Sequence, residues 1–260
     1  MAEPQTLRPP DTFPPVQPGR RSRVLAEEVL VVLSLSLLAS AFDAFFSFLS
    51  APVNRTVAVS LFRDVELARQ LTDIAFALAP VALVFYLARR WSEPLESFGL
   101  GTAAFRQDVS WGSLLGLAVA AGGLGIYLSA IALNVNRFVV PVPPLGHWWT
   151  VPILLLSAGQ NALLEEVVAV GYLMRRLEQV GWAGAAALAT SALLRATYHL
   201  YQGWGGFAGN LLLGFIFGSI YLRWRRTWPL VVAHFVIDAL AGLGYIAFRG
   251  HCFGSLCIPR

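Results

Sequence analysis

The sequence predicts an all-α polytopic membrane protein, a bundle of about seven transmembrane helices with eight as the alternative. Three observations carry this reading. Hydrophobic residues make up 57% of the 260-residue chain and charged residues 13%, about half the charge of an ordinary soluble domain. Seven apolar segments, roughly 29–49, 73–91, 112–134, 149–174, 183–201, 208–223 and 228–247, mostly approach the ~20 residues that cross a bilayer core. The arginines gather in alternate connections between these segments, which is how charge sets orientation across a membrane. The net charge of +4 therefore belongs to membrane orientation, and no nucleic-acid partner is expected.

Taken in order, residues 1–23 are proline-rich and polar and end in arginines, which predicts a disordered cytoplasmic tail. The tail is long, and the apolar run after it is long enough to span, so it does not read as a signal peptide. Residues 24–250 form the transmembrane domain. Within it, NRTVAVSLFRDVELARQ (54–70) carries too many charges for an eighth crossing and reads as a loop or interfacial helix. The sixth segment is short, and the fourth is long enough to tilt or to extend into water. Gly112/Gly116 and Gly214/Gly218 are small-residue pairs four apart, read as ordinary close packing between spans.

Arg20, Arg21 and Arg23, then Arg89, Arg90 and Arg106, then Arg175 and Arg176, then Arg223, Arg225 and Arg226 mark the cytoplasmic side. The opposite connections hold Arg55, Arg63 and Arg69, offset by Asp64 and Glu66, and then Arg137. A multi-pass cell-membrane protein with a cytoplasmic N-terminus and an external C-terminus follows. Residues 251–260 are a short tail with the two cysteines, Cys252 and Cys257, either bonded or free. All nineteen basic residues are arginine, a bias that fits a GC-rich, bacterial coding sequence.

The polar residues within the later spans point to chemistry. Glu165 and Glu166 lie in the fourth segment, Arg195 and His199 in the fifth, His234 and Asp238 in the seventh. Ionisable residues within spans are rare and usually face a protein interior or a wet cavity. Arg195/His199 and His234/Asp238 are each four apart, hence on one helix face. Adjacent Glu165 and Glu166 point about 100° apart, so one can aim at a shared centre while the other serves a second partner. Single residues have blander readings. His147 in GHWWT reads as an interfacial anchor, and Asp43, about 30 Å along from Arg23, as an outer-interface residue. His199 lies up to about 15 Å from the depth of the others, a gap that tilted spans would close.

These motifs resemble the CPBP family, the CAAX prenyl-protease and bacteriocin-processing group of intramembrane endopeptidases. EEVVAVG from Glu165, RATYH ending at His199 and HFVID from His234 follow the family's order, each in its own apolar segment, over a core of about 149–247. There are two departures. Val170 stands where the family has arginine, and Arg195 where it has phenylalanine. One arginine is lost and one gained on neighbouring spans, and Arg195 is expected to neutralise the carboxylate pair in its place.

The resemblance implies a protease acting on a peptide or protein substrate in the bilayer. Glu165 and His199 would activate the water, and His234 and Asp238 would stabilise the oxyanion, with Asp238 alternatively fixing the His234 ring. Glu166 would orient helices or share the arginine's charge. No cofactor is certain. The family is often described as metalloprotease, and a zinc site, if present, would use Glu165, His199 and His234; a metal-free glutamate mechanism suits the same residues. The alternatives are a non-catalytic membrane scaffold or bacteriocin-immunity factor that keeps the fold, and a transporter or proton relay. The crowding of ionisable residues into the C-terminal half disfavours the last.

Overall fold

The computed structural model describes residues 18–49, 63–133, 144–253 and 256–258. Its helices are α1 (Pro18–Ser34), α2 (Leu37–Leu49), α3 (Arg63–Ala77), α4 (Ala79–Arg90), α5 (Phe105–Ala132), α6 (Thr150–Glu165), α7 (Leu173–Gln179), α8 (Gly184–Tyr198), α9 (Trp204–Trp224) and α10 (Trp228–Phe248). Among the described residues five helices are long and apolar enough to cross a membrane, or six if α1 and α2 are one span bent by 47°.

The expected segments are all helical, with their limits moved for physical reasons. The first begins earlier, because residues 18–23 of the expected disordered tail are helical; residues 1–17 lie outside the described set. It breaks where the Ser36 hydroxyl takes the Val32 carbonyl at 2.6 Å, the back-bonding by which serine bends helices. The second span starts near Asp64, not at 73. Arg69 pairs with Glu66 at 2.6 Å and with Asp73 at 3.0 Å along the helix. Those pairs offset the charges that argued against a helix continuous with the span. Residues 50–62 are outside the described set. The fifth segment yields α8, only 15 residues long. At 1.5 Å per residue it reaches about 22 Å, short of the ~30 Å core. The polar His199 ends it, a 3-10 turn follows over Leu200–Gln202, and Gly203 at φ +103 turns the chain into α9.

The small-residue pairs bring helices together. A Cβ on Gly112 would lie 2.5 Å from the Pro229 carbonyl oxygen, and one on Gly116 2.7 Å from that of Ala233, so the α5–α10 approach requires both glycines. A Cβ on Gly214 would meet Ala192 Cα at 2.7 Å, which does the same for α8 and α9.

One end of the bundle is tied by ion pairs. Arg176 is fully buried, bonds Glu93 at 2.8 and 2.9 Å, and lies over the rings of Phe98 and Tyr172. Arg225 bonds Glu178 at 2.6 Å, and Arg226 bonds Asp108. Thr227 donates its amide to the Gly99 carbonyl at 2.8 Å and its hydroxyl to that of Phe98 at 2.7 Å. The 91–104, 176–183 and 225–227 connections therefore share one end. At the other end of α10, Cys252–Phe253 (β1) pairs with Leu256–Cys257 (β2), and Cys252 is disulfide-bonded.

Candidate active site

The site begins with a change of helix type. Glu165 ends α6, and Glu166–Tyr172 form a π-helical turn before α7 resumes the α-helix. Such wide turns are rare and recur at functional sites. All seven of its residues are buried, and donors from neighbouring helices support it. Ser191 of α8 gives its hydroxyl to the Ala169 carbonyl at 2.7 Å, and Tyr221 of α9 gives its own to that of Gly171 at 3.3 Å.

Gly171 admits the turn to the tied end of the bundle. A Cβ there would lie 2.9 Å from the Phe98 carbonyl oxygen and 3.0 Å from Thr227 Oγ1. Gly171→Ala is therefore expected to destabilise the protein by roughly 1–3 kcal/mol, the usual cost of overpacking. Thermal unfolding in detergent measures it, and an unchanged midpoint would show that the packing yields freely.

The turn gives the two glutamates different surroundings. Glu166 has no exposed surface. Its Oε1 accepts hydrogen bonds from the Arg195 guanidinium and from His234 Nδ1, the latter at 2.7 Å. Glu165 keeps 13% of its side chain exposed. Its Oε2 accepts the Tyr198 hydroxyl at 2.7 Å and lies 3.5 Å from Arg195 Nη1. Arg195 thus stands between the two carboxylates, and its Nη1 is buried with no hydrogen-bond partner.

The histidines are held separately. His199 Nδ1 lies 3.0 Å from the Arg195 carbonyl. A carbonyl only accepts, so Nδ1 carries the proton, and Nε2 of the neutral ring is the acceptor. His234, 5% exposed, turns Nδ1 to Glu166 and has Nε2 3.6 Å from Asp238 Oδ2. The Asn161 side-chain amide lies close to the Asp238 carboxylate. Glu165 lies within electrostatic reach of His234, His199 and Arg195.

Five of the six residues singled out in the sequence, Glu165, Glu166, Arg195, His234 and Asp238, are therefore linked by hydrogen bonds or ion pairs, and His199, packed on the Tyr198 ring, lies within electrostatic reach of Glu165. Arg195 bonds Glu166, as the exchange of arginines suggested. Sequence reasoning missed Tyr198 and Asn161. Both left a signal: Tyr198 lies inside RATYH, and Asn161 is an amide in an apolar helix, one turn before Glu165.

The residues do not suit a three-ligand metal centre in this arrangement. No three His, Cys, Asp or Glu side chains among the described residues are grouped to hold an ion. The guanidinium lies between the carboxylates, and both nitrogens of His234 face Glu166 and Asp238.

Residues 147–240 match the family model described as Rce1-like, type II CAAX prenyl endopeptidase. No curated protein and no solved structure matches the chain. The matched segment contains the π turn and every residue of the network, in the motif order that suggested it. Over these residues the match supports membership of the CPBP family.

Proposed function

We propose that this protein is an intramembrane endopeptidase that hydrolyses peptide bonds of membrane-associated substrates with a water activated by Glu165, without a metal. The observation that carries the reading is the unequal treatment of two adjacent carboxylates. Glu166 is sealed and bonded by Arg195 and His234, whereas Glu165 retains an exposed edge beside Tyr198 and His199. A general base must reach its water while staying ionised, and an opposite charge a few ångströms away favours the ionised form. Arg195 supplies that charge.

In this mechanism Glu165 takes a proton from water, and His199 orients the water through Nε2. The hydroxide oxygen bonds to the scissile carbonyl carbon, whose π electrons move to the oxygen. As the C–N bond breaks, Glu165 returns the proton to the departing amine. The oxyanion needs a donor waiting in the site. His234 already faces two carboxylates, so the role expected of His234 and Asp238 falls to Arg195 Nη1, a buried donor with no hydrogen-bond partner. Glu166, His234 and Asp238 then act as positioning residues.

The decisive experiment presents a peptide library to the purified protein in vesicles and identifies cleavage sites by mass spectrometry. Specific cleavage that is absent in Glu165→Gln supports the reading. No cleavage by the wild type would favour the non-catalytic scaffold, for which the altered positions 170 and 195 are the argument.

We further place the protein in the cell membrane with its N-terminus in the cytoplasm. The arginine distribution and the disulfide-bonded Cys252, a bond that persists in oxidising compartments, support this orientation. A reporter fused after residue 178 should read as cytoplasmic and one after residue 250 as external. Both on one side would reverse the assignment.

A further inference from the structure

Tyr198, the last residue of α8, has no role in the mechanism above, yet it touches both members of the water-activating pair. Its hydroxyl donates to Glu165 Oε2 at 2.7 Å. Its ring lies 4.8 Å from that of His199. The residue is 6% exposed, and it forms one wall of a cavity of about 380 Å³ that opens against Ala39 and Ala44 of α2.

We propose that Tyr198 is a positioning residue: it holds Glu165 with Oε1 toward the water and Oε2 turned away, and so leaves Arg195 Nη1 free for the oxyanion.

The two oxygens of Glu165 are treated differently. Oε2 takes the phenol hydrogen and lies 3.5 Å from Arg195 Nη1, too far for a good hydrogen bond. Oε1 accepts no hydrogen bond from the described residues, and it is not among the buried atoms left without a partner. It therefore carries the exposed edge of the side chain, the edge through which a base takes a proton from water. The bond that sets this orientation is a strong one, because a hydroxyl on a carboxylate is charge-assisted and roughly twice as strong as a neutral pair. By meeting the need of Oε2, the phenol also leaves Nη1 without a hydrogen-bond partner. The ring serves the second member of the pair. His199 leaves α8 at φ −99 and ψ 2, with Nδ1 on the Arg195 carbonyl at 3.0 Å. At this helix end two consecutive rings come within the separation at which aromatic pairs attract. The imidazole that presents Nε2 is thus held by a hydrogen bond and by the Tyr198 ring.

The inference takes its reaction from the endopeptidase reading, so one measurement does without cleavage. The substrate is the best-cleaved peptide of the library, with the protein in phosphatidylcholine vesicles. Tyr198→Phe should lower kcat about 10- to 100-fold, the scale of a misplaced catalytic group, and leave KM and the unfolding midpoint near those of the wild type. Tyr198→Ala opens a space continuous with the cavity. Added phenol should restore part of its lost kcat, whereas benzene, which fills the same space without a hydroxyl, should not. Infrared difference spectra of the wild type against Tyr198→Phe should show a shifted carboxylate band, absent when the same pair is compared in the Glu165→Gln background. Rescue by benzene as well as by phenol would reduce Tyr198 to packing and overturn the proposal. A Tyr198→Phe protein with wild-type kcat, or no carboxylate shift, would overturn it too. A carboxylate shift without any cleavage by the wild type would sink the endopeptidase reading and leave the hold of Tyr198 on Glu165 standing.

Discussion

Arg195→Ala is expected to abolish activity and to cost roughly 3–5 kcal/mol of stability, the range seen when one partner of a buried ion pair is removed. Arg195 is 1% exposed and touches both carboxylates, bonding Glu166 and standing 3.5 Å from Glu165. Without it, Glu166 loses its cation at a place where water cannot replace the guanidinium. Glu165 loses the charge that favours its ionised form, and the proposed mechanism loses its oxyanion donor. Denaturant unfolding in micelles gives the stability, and cleavage rates give the activity.

A second variant separates the two losses. Replacing Arg195 and Glu166 together by leucine should restore much of the stability, because apolar residues of similar volume often substitute well for a buried pair. It should restore no activity. An Arg195→Ala protein with wild-type turnover would remove the guanidinium from the mechanism.

Glu165→Gln is expected to show the opposite balance. Loss of a general base costs on the order of 10²–10⁴ in rate. The amide keeps the shape of the side chain and can still accept the Tyr198 hydroxyl, so the unfolding free energy should change by no more than about 1 kcal/mol, one neutral hydrogen bond. Glu166→Gln should instead lower stability measurably, because Arg195 would lose its bonded carboxylate in a sealed site. If Glu166→Gln kept its stability and abolished cleavage while Glu165→Gln did not, the roles of the two glutamates would be reversed.

Much of this was legible in the chain. Apolar runs near the length of a bilayer crossing identify the helices, since a polar backbone in hydrocarbon must bond within its own segment. Six ionisable residues in three spans identify the site, because such residues are too costly in lipid to be placed there idly. Even the pairing of Arg195 with the glutamates can be reasoned from sequence: the arginine missing at Val170 leaves a charge that needs a partner, and Arg195 is the cation available in a neighbouring span.

Other features belong to the tertiary structure. The different surroundings of Glu165 and Glu166 go with a π-helical turn, and that turn is held by Ser191, Tyr221 and the close approach at Gly171, all long-range contacts. Local propensity does not encode it. The use of Arg176 also escapes sequence reading. It looks like a boundary charge, yet it is buried on Glu93 between two rings, because a connection 83 residues away folds over it. Tyr198 becomes a site residue only when the short α8 brings its hydroxyl to α6. Composition and periodicity therefore determined that this protein is a helical membrane bundle with a charged centre. Which carboxylate is sealed and which is accessible was decided by packing, since accessibility depends on neighbours that are distant in sequence.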